Sequence, residues 1–81
     1  MIEIYKFMTL DIDERVNHVW RFGTYLISRE ESGYIIDLYY LNNYYVEMFY
    51  NNVDNSIAEI KTFRSAMFLN PYLDQIDIGN C

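Results

Sequence analysis

Two carboxylates, Asp37 and Glu47, stand in neighbouring apolar segments at a separation that a hairpin can close. Paired carboxylates can act as general acid and base when a cleft brings a substrate between them. A solvated sheet face also carries charges at such positions, and a chain of 81 residues leaves little material for a cleft. His18 follows Glu14 by four residues and lies away from the apolar stripe of its helix, so it reads as half of an exposed helical pair. Cys81, the single cysteine, is the last residue, and a Cys–His nucleophilic pair would need it held rigidly. One histidine and one cysteine do not make a tetrahedral zinc site within one chain. Asp11, Asp13 and Glu14 lack the twelve-residue calcium-loop pattern and suit helix capping better. Gly23, Gly33 and Gly79 are too widely spaced for a phosphate-cradling loop, and Arg15, Arg21, Arg29 and Arg64 are dispersed. No catalytic residue, cofactor or metal ligand is assigned on these grounds.

The elements that must position these side chains are read from periodicity. Asp11 with Glu14 three residues later is a capping-box start, and Ile12, Val16, Val19 and Trp20 form a core-facing stripe. The helix is expected over about residues 12–22, with Gly23 as a left-handed C-terminal stop. Before it, Ile2 to Phe7 alternates as a short strand or extended arm would. From Thr24 to Phe63 the period is two, in four runs: Thr24–Arg29, Tyr34–Tyr40, Tyr44–Tyr50 and Ile57–Phe63. Their short connections predict antiparallel neighbours, hence a four-stranded meander. Asn70-Pro71 opens a second, shorter helical region with Tyr72, Leu73 and Ile76 as its apolar face; Ser65 to Leu69 suits a further turn, and Gly79-Asn80-Cys81 is expected to fray. The fold class is α+β: a single antiparallel sheet with an N-terminal helix and a short C-terminal helix, in the order α-β-β-β-β-α, with the helices over one face and all of residues 1–81 in one domain.

The central hairpin decides which side chains meet. A two-residue loop at Asn42-Asn43 sets Leu41 opposite Tyr44 and puts Asp37 and Glu47 on opposite faces. An odd loop instead gathers Tyr34, Ile36, Leu38, Tyr40, Val46, Met48 and Tyr50 on one face and both carboxylates on the other. The cleaner sorting favours the odd loop. A four-residue loop at Glu30–Gly33 then places Tyr25 and Ile27 with Ile36 and Leu38, and Ala58 and Ile60 face the core, while Lys61 falls near Glu47. In this register Ile35, Asp37, Tyr39, Tyr45, Glu47 and Phe49 form an outer aromatic and carboxylate face, which is either covered by a terminal helix or the N-terminal arm or is the candidate interaction surface.

Composition limits the remainder. With 12 acids against 6 bases, a net charge of −6 and 52% hydrophobic residues, the chain folds and does not track phosphates. It is short enough to bury only about 60–65% of its unfolded surface. No intrachain disulfide is possible, no run approaches the length of a membrane span, and the N-terminus lacks a secretory leader pattern. The expectation is a cytoplasmic protein without direct nucleic-acid or membrane contacts.

Trp20-Arg21-Phe22-Gly23-Thr24-Tyr25-Leu26, Tyr45-Val46-Glu47 and Pro71-Tyr72-Leu73 together give a layout that resembles short bacterial proteins of uncharacterised function. The resemblance implies a small autonomous bacterial domain and carries no activity. The function expected is a non-enzymatic interaction module of the immunity, antitoxin, inhibitor or adaptor kind, docking on a protein partner. The alternatives are a small-ligand domain or minor enzyme using Asp37 and Glu47, and a structural homodimer built on a second copy of the chain.

Overall fold

A computed structural model describes residues 2–73. The chain begins with a helix, α1 (Ile4–Met8), where alternation suggested an extended arm. Ile4 and Phe7, three residues apart, are both buried, and anchoring that pair under the domain selects the helical period over the period of two. The second helix, α2 (Ile12–Phe22), has the expected bounds and a complete capping box: Asp11 accepts from the Glu14 amide at 2.8 Å, and Glu14 accepts from the Asp11 amide. Val16 and Val19 of its stripe are buried, whereas Ile12 and Trp20 are exposed at its margins. Gly23 is extended (φ −78°, ψ 154°), not left-handed. Its role is close approach, because a Cβ there would lie 2.7 Å from the Val19 carbonyl oxygen.

Four strands follow as a meander in the order β1 (Thr24–Glu31), β2 (Tyr34–Leu41), β3 (Tyr44–Asn51) and β4 (Ile57–Phe63). The first turn is Ser32-Gly33, with positive φ at both residues as a type I′ turn requires, and is two residues shorter than expected. The second is the two-residue Asn42-Asn43 loop, with Asn43 at φ 66° and Leu41 opposite Tyr44. The odd loop is thus not adopted. One sheet face carries Asp37, Tyr39, Leu41, Tyr44, Val46, Met48 and Tyr50; the other carries Tyr34, Ile36, Leu38, Tyr40, Tyr45, Glu47 and Phe49.

The reason is that both faces are covered. Helices α1 and α2 pack on the first, where Phe7, Val16 and Val19 meet Leu41, Tyr44, Val46 and Met48 in the core. On the second face, a 3-10 turn (Ala66–Leu69) and α3 (Asn70–Leu73) bring down Tyr72, which is buried there. The helices therefore do not share one face. Sorting charges to one solvated side gives no advantage in such a sheet, since helical segments pack on both faces and each face takes one carboxylate. The Asn70-Pro71 start and the preceding turn lie where expected; Ile76 and Gly79 to Cys81 lie outside the described residues.

Each outer strand holds one residue more than its partner: Leu26 in β1, between the pairs Tyr25–Tyr39 and Ile27–Leu38, and Ala58 in β4, between Ile57–Tyr50 and Glu59–Phe49. Ala58 is accordingly exposed instead of facing the core, while Ile60 packs against the core as expected.

Candidate functional site

The register separates the six residues expected to form one interaction face. Ile35, Asp37 and Tyr39 point to the α1–α2 side, and Tyr45, Glu47 and Phe49 to the opposite side. Asp37 and Glu47 have the sheet between them and cannot act together on one substrate. An acid–base pair built from them is excluded.

On the α3 side the three residues are engaged within the chain. Tyr45 stacks on Phe63 with centroids 5.2 Å apart, and Phe49 packs against Tyr34 at 6.1 Å. Glu47 is buried and accepts a hydrogen bond from the Tyr72 hydroxyl at 2.5 Å and one from Arg29 at 3.3 Å. Arg29 also pairs with Glu31 and lies 4.9 Å from the centroid of the Tyr72 ring. Burial and the hydrogen bond to Glu47 push the Tyr72 phenol well above the usual tyrosine range. Lys61 is opposite Glu47 as expected, yet its ammonium sits 5.1 Å over the Phe49 ring and Arg29 takes the carboxylate. This cluster clasps the C-terminal segment to the sheet. Its charged groups are paired within the chain, although Arg29 Nε is buried without a hydrogen-bond partner.

The other face is different. The extra residue Leu26 rotates Tyr25 onto the side of Tyr39 and Asp37, although the regular alternation of β1 would send it to the side of Ile27. The Tyr25 hydroxyl shares a 2.6 Å hydrogen bond with Ser28, whose hydroxyl donates to Asp37 Oδ1 at 2.5 Å. Tyr25 and Tyr39 meet edge to face at 5.8 Å. Tyr50 of β3 lies on the same face, and Trp20 of α2 lines a groove with Ile57, the β4 partner of Tyr50. Burial raises the phenols of Tyr39 and Tyr50, helped for Tyr39 by Tyr50 and the Asp37 charge; Tyr39 is pushed up to about 12.

Two aromatic members are open to solvent: Trp20 is 58% and Tyr25 54% exposed. Trp20 lines that open groove, of about 600 Å³, with Ile12, Asp13, Val16, Asn17, Asn55 and Ile57.

Charge is distributed unevenly around this site. Both ion pairs among the described residues belong to Arg29, on the far side of the sheet, where Lys61 also lies. Arg15 donates to the carbonyls of Leu10 and Met8, Arg21 lies over Phe22, and Arg64 lies over Tyr5. Lys6 is carried by α1, which packs at the Tyr44 end of the sheet. Among the described residues Asp37 makes no ion pair, and its Oδ2 receives no hydrogen bond.

Trp20, Tyr25, Ser28 and Tyr50 escape a reading of the sequence. Trp20 lies on the apolar stripe and passes for core, and a bulge leaves no mark in the alternation of β1. The useful signal is that Trp20 sits at the edge of the stripe, farthest from its centre. His18 is also displaced from its expected role. Its ring packs 4.8 Å from Phe22 and 6.1 Å from Phe7, Nε2 is buried without a partner, and Glu14 is committed to the capping box.

Among the described residues no three His, Cys, Asp or Glu side chains gather as a metal site, and no helix is long and apolar enough to cross a membrane. Comparison with protein-family models, with curated proteins and with solved structures finds no match.

Proposed function

We propose that the chain is a non-enzymatic interaction module that docks on a basic protein partner through the face carrying Trp20, Tyr25, Asp37, Tyr39 and Tyr50. The observation that carries this reading is the solvent-exposed Tyr25, linked through Ser28 to a carboxylate that makes no ion pair among the described residues, with exposed Trp20 on the helix that packs on the same face. Large aromatic side chains with one wet end are suited to interface centres, and a net charge of −6 speeds encounter with a positively charged surface. Immunity-type, inhibitor and adaptor roles all fall within this reading. The same charge disfavours phosphate-tracking contacts. It also disfavours a two-fold homodimer through this face, which would set like charges against each other.

Titration calorimetry with a basic peptide containing both lysine and arginine tests the proposal. Wild type is expected to bind with an affinity that falls as salt rises. Trp20→Ala and Asp37→Asn are expected to weaken binding about tenfold, and Glu59→Gln, on the other side of the sheet, to leave it near wild type. Equal affinity of all four proteins would overturn the assignment of the surface.

A further inference from the structure

We infer that the ring set of Trp20, Tyr25, Tyr39 and Tyr50, with Asp37 at its base, is a receptor for a single arginine side chain of the partner. The inference deepens the interaction reading and rests on it. Three features select a guanidinium. First, the walls are planar π-systems, two of them exposed and the Tyr25–Tyr39 pair set at 71°, so a flat cation can lie on one face while a second ring edges against it. Second, Ser28 occupies Oδ1 of Asp37 and orients the carboxylate, which leaves Oδ2 to accept from an incoming N–H. Third, the Tyr25 hydroxyl, linked through Ser28 to Asp37, can accept from another N–H group of a guanidinium, which has five donors in a fixed plane. An ammonium is a compact and more strongly hydrated charge that uses such a flat, ring-walled site poorly. A neutral planar group of the same shape lacks the attraction to both the rings and the carboxylate.

Small probes separate these possibilities without a partner in hand. Full-length protein is titrated with N-acetylarginine amide, N-acetyllysine amide and N-acetylcitrulline amide, following the Trp20 indole N–H and the backbone amides of β1 and β2 by NMR. The arginine probe is expected to move the Trp20 indole and Ser28–Asp37 signals saturably. The lysine probe should bind at least about fivefold more weakly, and citrulline should leave the signals in place. Asp37→Asn should abolish the response, and Tyr25→Leu should weaken it with the amide spectrum otherwise folded.

No saturable response to arginine, an equal response to lysine, or shifts confined to Asp13 and Asn17 would overturn the receptor. Basic-peptide binding that still depends on Trp20 and Asp37 would then leave the interaction reading standing. Arginine-probe binding with no affinity for any basic peptide would do the reverse.

Discussion

The clasp formed by Arg29, Glu47 and Tyr72 allows a quantitative prediction. The side chains of Arg29 and Glu47 are each only 11% exposed, and one carboxylate oxygen of Glu47 accepts from both Arg29 and Tyr72. Glu47→Leu would leave the guanidinium buried with Glu31 alone, a residue whose side chain is 59% exposed. Breaking a buried ion pair in this way costs about 3–5 kcal/mol, and the retained contact to Glu31 places the loss near the lower end. The Tyr72 hydroxyl also loses a charged acceptor, worth about 1.5–3 kcal/mol. The two losses overlap because both arise at one oxygen, so about 4 kcal/mol is expected for Glu47→Leu and about 2 kcal/mol for Tyr72→Phe. A domain of this size is stable by about 4–12 kcal/mol, which makes the first variant marginal. The triple variant Arg29→Met, Glu47→Leu, Tyr72→Phe removes every buried polar group of the clasp at similar volume and should return to within about 1 kcal/mol of wild type. Urea titrations followed by circular dichroism at neutral pH give all three values. If the triple variant were as unstable as Glu47→Leu, or if Glu47→Leu lost less than about 1 kcal/mol, the argument from desolvation would be wrong.

Two further outcomes follow from single residues. Burial lowers the pKa of His18 below its ordinary 6.5, with the positive charge of Arg21 adding to the effect. The unfolded chain then binds more protons than the folded one below that pH, so the His18 contribution is intact above about pH 6.5 and is lost as pH falls toward the folded value. Thermal melts between neutral and mildly acidic pH should show this fall in wild type and a flatter profile in His18→Phe; identical profiles would refute it. Gly23→Ala places a methyl group 2.7 Å from the Val19 carbonyl in an otherwise ordinary backbone conformation. It should destabilise by about 1–3 kcal/mol, read as a lower denaturation midpoint, and a neutral effect would show that the helix–strand junction relaxes freely.

Much of the fold could be read locally. The Asp11–Glu14 box fixes where α2 starts, the period-two runs mark four strands, and Asn70-Pro71 marks the last helix, because each signal involves residues within one or two turns of chain. The register could not be read in that way. Its parity depends on whether a buried carboxylate is tolerable, and Glu47 is tolerable only through Arg29, 18 residues earlier, and Tyr72, 25 residues later. The side of Tyr25 depends on a bulge, and α1 on a docking partner in β3, for which Ile2 to Phe7 carries no separate sign. The candidate site was legible by halves: Asp37 and Tyr39 belong to it, while Tyr45, Glu47 and Phe49 serve the clasp.

The two extra residues in the outer strands bear on how this sheet behaves in concentrated solution. An open meander has two free edges, and a free edge is a template on which further strands can add. Leu26 breaks the even row of main-chain donors and acceptors along β1, and Ala58 does so along β4. A strand arriving at either edge finds regular pairing only over part of its length, from Ile27 to Glu31 on one side and from Glu59 to Phe63 on the other. For a chain with apolar side chains on both sheet faces, fibril growth is the standing hazard. One inserted residue at each edge keeps the four strands from becoming the repeating unit of a longer sheet.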